Sequence, residues 1–186
     1  TYVVQITIIN DCTNNSALDT FTVQATPGPI TVNSGIPVET CIGDLPFTIT
    51  ADSTGGTWSG TGITAGGIFG PSSVVAGTYT VYYNYDVGNG CPADVPVIVT
   101  VHAFPVVDAG GNVNACVNDP SFNLTAGTPM GGTWSGTGIT NATNGTFNPG
   151  TAGTGSHTIT YTYTDGNNCE NSDFLFVNVL GLPNVD

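Results

Sequence analysis

The chain contains no lysine and no arginine in 186 residues, so 13 Asp and Glu side chains leave a formal charge of −13 with nothing to offset it. Phosphate contacts are made chiefly by Lys and Arg, so the absence argues against nucleic-acid binding. It argues equally against attachment to anionic membrane surfaces. No phosphate-loop lysine, arginine finger, Schiff-base lysine or arginine clamp is available. A side-chain salt bridge can form only through a protonated histidine, and there are two histidines.

Helix formers are scarce as well. Methionine occurs once, and Glu39 and Glu170 are the only glutamates. No run of about 18 apolar residues is present, so no membrane-spanning helix or direct membrane insertion is expected. Charged residues make up 7% of the chain, against about 25% in an average soluble protein. High net charge with low hydrophobicity would mean disorder. Here 39% of residues are hydrophobic and the mean hydropathy is +0.15, which points to a folded chain. It opens directly in a strand pattern without an initiator methionine, which reads as a mature product or a slice of a longer chain.

Threonine is abundant, at 30 residues, beside 26 glycines and 12 prolines. Thr, Val, Ile, Tyr and Phe favour strands, while Gly, Asn, Asp and Pro favour turns. Phe47, Ile49 and Ala51 alternate with Thr48 and Thr50. Val81, Tyr83 and Tyr85 alternate with Thr80, Tyr82 and Asn84, and Val97 and Val99 with Ile98 and Thr100. In the second half Ile159, Tyr161 and Tyr163 alternate with Thr158, Thr160, Thr162 and Thr164. A period of two marks half-buried antiparallel strands. The turn clusters starting at Asp86 and Asp165 each predict a hairpin with the strand that follows.

An internal repeat organises the chain. Gly55-Gly56-Thr57-Trp58-Ser59-Gly60-Thr61-Gly62-Ile63-Thr64 recurs identically 76 residues later, beginning at Gly131. Cys41 maps to Cys116 at an offset of 75, and Cys91 to Cys169 at 78. Leu182-Pro183-Asn184-Val185-Asp186 maps onto Phe104-Pro105-Val106-Val107-Asp108. The division is therefore residues 1–26 as the end of one repeat, 27–104 and 105–182 as two full repeats, and 183–186 as the start of another. Six or seven short strands per repeat predict an all-β fold, tandem immunoglobulin-like β-sandwich domains arranged end to end. Trp58 and Trp134, with Tyr83, Tyr85, Tyr161 and Tyr163, are the expected core aromatics; the other reading of the tryptophans is a sugar-stacking platform.

Each full repeat holds two cysteines, and Cys12 would find its partner upstream. Such a pattern reads as disulfides formed in an oxidising, extracellular setting. The default pairing is within each repeat, Cys41–Cys91 and Cys116–Cys169. The alternative joins one repeat to the next, Cys41–Cys169, because Cys41 and Cys91 fall at opposite poles of a simple immunoglobulin topology and stacked repeats bring unlike poles together.

Catalysis is not expected. His102 and His157 occupy non-equivalent positions and read as surface strand residues. No nucleophile elbow is visible. Asp108, with Asp165 or Asp86, could hold Ca²⁺ at a junction, since that ion takes oxygen ligands; the plainer reading is that these carboxylates cap turns. Asn123 and Asn144 begin Asn-linked sequons, as do Asn14 and Asn141.

Thr40-Cys41-Ile42-Gly43-Asp44, the Gly-Gly-Thr-Trp-Ser-Gly-Thr-Gly block, Gly77-Thr78-Tyr79-Thr80-Val81, Tyr161-Thr162-Tyr163-Thr164-Asp165 and Asn89-Gly90-Cys91 are the segments that carry a likeness to known repeats. On them the chain resembles the tandem Ig-like or PKD-like repeats of giant Bacteroidota cell-surface adhesin and filament proteins, of the gliding-motility adhesin type. The Trp-x-Phe-Gly-Asp-Gly segment of PKD domains is absent, which favours the Ig-like form. The resemblance implies type IX secretion and a long surface fibre. It also implies a candidate O-glycosylation site at Ser53, in Asp52-Ser53-Thr54. The expected function is a structural repeat of an extracellular filament or adhesin stalk, partnered by copies of the same repeat or chain. Alternatives are a module binding surface polysaccharide, and a pilin-like subunit that donates residues 1–26 to a neighbour.

Overall fold

A computed structural model describes residues 38–86 and 92–183. They form two sandwiches of the same design. The first contains β1 (Val38–Cys41), β2 (Phe47–Thr48), β3 (Thr57–Ser59), β4 (Ile68–Phe69), β5 (Gly77–Asp86) and β6 (Pro92–His102). The second contains β7 (Val113–Cys116), β8 (Phe122–Asn123), β9 (Thr133–Ser135), β10 (Ile139–Asn141), β11 (Thr146–Phe147), β12 (Gly155–Thr164) and β13 (Glu170–Leu180). A single helical turn, α1 (Pro149–Ala152), precedes β12; Asn148 caps it by accepting from the Thr151 N–H at 3.1 Å.

Each sandwich has a four-stranded sheet, ordered β1-β6-β5-β3 and β7-β13-β12-β9. The long hairpin at its centre is antiparallel, whereas the first strand runs parallel to the last. A smaller sheet, β2-β4 or β10-β11-β8, covers the other side. Between the two sheets lies the core. In the first sandwich it holds Ile49, Trp58, Phe69, Val81, Tyr83, Val97, Val99 and Val101. In the second it holds Ala109, Leu124, Trp134, Phe147, Ile159, Tyr161, Leu175, Val177 and Val179. The period of two is visible in β13, where Leu175, Val177 and Val179 point inward while Phe174, Phe176 and Leu180 stay exposed.

The repeated ten-residue block has a local cause. Trp134 packs on Tyr161 with ring centroids 4.7 Å apart, and Trp58 on Tyr83 at 5.1 Å. The Tyr161 hydroxyl donates to the Pro129 carbonyl at 2.6 Å and accepts from the Gly132 N–H at 2.8 Å. Tyr83 makes the same clamp with the Ser53 carbonyl and the Gly56 N–H. A Cβ on Gly132 would lie 2.4 Å from the Thr162 carbonyl oxygen and 2.5 Å from the Tyr161 ring. The glycine is therefore required by close approach: the ring occupies the space a side chain would need.

Two changes test this clamp. Gly132→Ala overpacks it and lowers stability by about 1–3 kcal/mol. Tyr161→Phe strands the Gly132 N–H and Pro129 carbonyl and costs about 1–3 kcal/mol. Ile98→Ala, at a side chain 51% exposed, shifts stability by no more than about 0.5 kcal/mol. Urea unfolding of the three variants checks the order.

Candidate functional site

The chemically distinctive place is where the two sandwiches are joined. Cys41 ends β1 opposite His102, the last residue of β6. The Ile42 N–H donates to the His102 carbonyl at 2.9 Å, prolonging this pairing beyond the strand. The chain then turns on Asp44. Its Oδ2 accepts from the Cys41 N–H and the Thr40 hydroxyl, both at 2.8 Å. On the other side, Cys169 follows the β12–β13 turn. There Asp165 Oδ1 accepts from the Asn167 N–H at 2.8 Å and the Cys169 N–H at 2.9 Å. Asn168 takes a φ of 64°, a left-handed conformation that Asn tolerates better than most residues.

Cys41 and Cys169 are bonded, with Sγ–Sγ 1.98 Å and Cα–Cα 5.6 Å across 128 positions of sequence. Both are buried, at 6% and 0% exposure. The default within-repeat pairs, Cys41–Cys91 and Cys116–Cys169, are thus replaced by the inter-repeat bond, and Cys116 is a free, exposed thiol. The reason is topological. Cys116 pairs in register with Leu180, at the far end of β13, whereas Cys169 immediately precedes Glu170 at its start. Ten residues of strand separate those ends by about 34 Å, and a disulfide requires Cα atoms within about 7 Å. Cys12 and Cys91 lie outside the described residues.

His102 is not the surface residue expected. Its side chain is 20% exposed and its Nε2 lies 3.6 Å from Glu39 Oε2; that nitrogen is buried and makes no hydrogen bond. The register opposite Cys41 draws it into the junction. His157 is also half-buried, with Nε2 2.8 Å from the Gly153 carbonyl oxygen. Its partner there is a backbone carbonyl, and that of His102 is a carboxylate.

Two of the calcium candidates, Asp108 and Asp165, are engaged with nearby backbone N–H groups. Asp108 Oδ1 accepts from the Gly110 N–H at 2.7 Å, and Asp165 is committed to its turn. Asp86 ends β5, and only its backbone is described. No cluster of three or more His, Cys, Asp or Glu occurs among the described residues, whereas Ca²⁺ takes about 6–8 oxygen ligands.

Trp58 and Trp134 are 7% and 4% exposed, so neither offers a ring face to a sugar. Tyr83 and Tyr161 are buried beside them, and Tyr85 and Tyr163 are half-buried. The depression at the Trp134 edge, lined by Leu124, Met130, Asn144 and Tyr161, measures about 220 Å³, below the roughly 300–1,000 Å³ of ligand pockets. Ser53 is half-buried with its carbonyl on Tyr83, while Asn123 and Asn144 are exposed. No helix among the described residues is long and apolar enough to cross a membrane.

No protein-family model and no curated protein matches the sequence. Among solved structures, fibronectin(III)-like modules of Clostridium thermocellum CbhA align at 14% identity and a TM-score of 0.33, over 82% of this chain and 95% of that one. The insect immune protein hemolin aligns at 15% identity and a TM-score of 0.33, over 78% of this chain and 44% of that one. Human mucin-like protocadherin EC1-2 aligns at 10% identity and a TM-score of 0.30, over 83% and 99%.

Asn144→Lys gives trypsin a single site in a chain that otherwise has none. Without reductant the nicked protein migrates as one species held by Cys41–Cys169, and with reductant it separates into two. Separation without reductant would show that the bond is missing.

A pH dependence follows from Asp165. The Cys169 N–H chiefly, and Asn167 after it, hold its carboxyl below the ordinary value against partial desolvation. A depressed folded pKa adds stability that is present above the unfolded value, about pH 4, and is lost as pH falls through the folded value. Melting temperature should drop on acidification through that window, and less steeply in Asp165→Asn.

Proposed function

We propose that the chain is a structural segment of an extracellular surface fibre or adhesin stalk, a non-catalytic spacer of end-to-end sandwiches. The observation that carries this reading is the Cys41–Cys169 bond, which ties the β6 end of one sandwich to the β12–β13 turn of the next. A bond between opposite poles fits a linear stack. Stacking adds lengths: β13, with 11 residues, spans about 37 Å at 3.4 Å per residue.

The composition supports the same reading. A surface with no Lys or Arg offers trypsin-like proteases no cleavage site. Its uncompensated negative charge repels neighbouring fibres at low ionic strength. A buried disulfide between domains belongs to an oxidising compartment. On the resemblance to gliding-motility adhesin repeats, we read such a fibre as belonging to a Bacteroidota cell surface, exported by type IX secretion, with other copies of the repeat as its partners. Burial of both tryptophans weighs against a polysaccharide-binding module.

Spin labels on Cys116 and on Asp94→Cys, with Cys12 and Cys91 replaced by serine, mark the two outer poles. An end-to-end stack gives a separation of about 60–70 Å, from the residues of β6 and β13 between the labels. Sandwiches folded side by side would give a distance roughly half as long, and the spacer reading would fail. Double electron–electron resonance makes the measurement.

A further inference from the structure

The two sandwiches are internal copies of each other, and one equivalent pair of cysteines is in a different state in each. Cys41 and Cys116 sit in the same local frame. Each ends a first strand paired in parallel with the last strand, opposite His102 or Leu180. Each is followed by a residue whose N–H donates to that strand's terminal carbonyl at 2.9 Å. Each N–H donates to an aspartate three residues on, Asp44 at 2.8 Å and Asp119 at 2.7 Å. Yet Cys41 is bonded and 6% exposed, while Cys116 is free and exposed. The repeat containing Cys169 supplies the bonding partner of Cys41. At the open pole it is not only the thiol that lies uncovered: Leu180 is 55% exposed and Leu182 58%.

We propose that Cys116 is the covalent docking site for the next repeat along the chain, and that it bonds the cysteine of that repeat's long-hairpin turn as Cys41 bonds Cys169. This rests on the spacer reading above and adds the rule that extends it. The chain itself indicates the partner, because the residues from Leu182 restart the motif that follows Phe104. The cysteines then fall into two series. By repeat spacing, Cys12 and Cys91 are the sequence counterparts of Cys169, spaced 79 and 78 apart, and Cys41 and Cys116 are counterparts of each other. Bond formation is thiol–disulfide exchange with a small-molecule disulfide. One cysteine thiolate attacks the oxidant and releases one thiolate. The second cysteine thiolate then attacks the mixed disulfide and releases the other. Two protein thiols and one disulfide become one protein disulfide and two small thiols, with electrons balanced.

Successive bonds overlap. The loop from Cys41 to Cys169 encloses Cys116, so the next loop opens before this one closes. Within such an array every peptide bond lies inside at least one disulfide loop, and one backbone cut never severs the fibre.

The test lengthens the chain by one unit. Residues 1–182 are followed by a second copy of 105–186, mass-marked beside each of its cysteines by Asn118→Gln and Ser172→Thr, with Cys12 and Cys91 replaced by serine. The protein is oxidised with glutathione disulfide, alkylated and mapped without reduction. The expected result is that Cys116 leaves the alkylated pool and is found joined to the appended turn cysteine. The appended counterpart of Cys116 becomes the alkylated thiol in its place. Serine at the appended turn cysteine returns Cys116 to the alkylated pool. Cys116 still alkylated beside an intact Cys41–Cys169 bond would overturn the docking rule alone. So would an appended repeat that pairs its own two cysteines. Loss of Cys41–Cys169 itself in the map would sink the spacer reading along with it.

Discussion

A chain without one ammonium or guanidinium group has to satisfy its carboxylates by other means, and the backbone is the available donor. Asp44, Asp108, Asp119, Asp165 and Asp173 each accept from a main-chain N–H between 2.7 and 2.9 Å. Four of these five sit where the chain turns, and the fifth, Asp173 on β13, holds Ala109 as the second sandwich begins. The acidic residues are thus the turn-formers of the fold. Their placement decides which way the chain leaves each strand, and so where the two junction cysteines stand. Asp44 presents Cys41 and Asp165 presents Cys169, so the covalent bond is prepared on both sides by the same device.

With no ion-pair network available, cohesion within a sandwich comes from the strand ladders and a small core. Cohesion between sandwiches comes from the disulfide. Its position has a mechanical consequence. Tension applied at the two ends of the chain passes through residues up to Cys41, across the bond, and out from Cys169. Residues 42–168 lie off that path. In the chain-entropy account, closing a loop of this size also stabilises by about 5 kcal/mol, a large contribution where cores are small.

The all-β class, the repeat length and the inward faces of β5, β6 and β12 were legible in the sequence. The period of two and an identical ten-residue block are properties of neighbouring residues along the chain. The meaning of that block was less accessible. Gly132 is there because the ring of Tyr161, 29 residues away, fills its side-chain space. The cysteine partners were harder still, because they depend on strand direction. β1 and β7 run parallel to the last strand of their sandwich, which sets each acceptor cysteine at the opposite pole from its own hairpin turn. Hydrophobic spacing carries no record of that direction. The same register explains His102, an unremarkable strand-end residue in sequence that the parallel pairing draws under the junction.

The register position of His102 shows what the repeats vary while keeping their frame. At the closed junction a histidine stands opposite Cys41, with Glu39 3.6 Å away and Asp165 within electrostatic reach. It is the one cationic-capable side chain at a meeting of two carboxylates. At the open pole the same register position holds Leu180, an apolar side chain that is 55% exposed. The cysteine frame is the same in both repeats while the residue opposite the cysteine changes, so the chemistry around each cysteine is set by that one register position and its neighbours, and the frame itself by the parallel pairing of first and last strands.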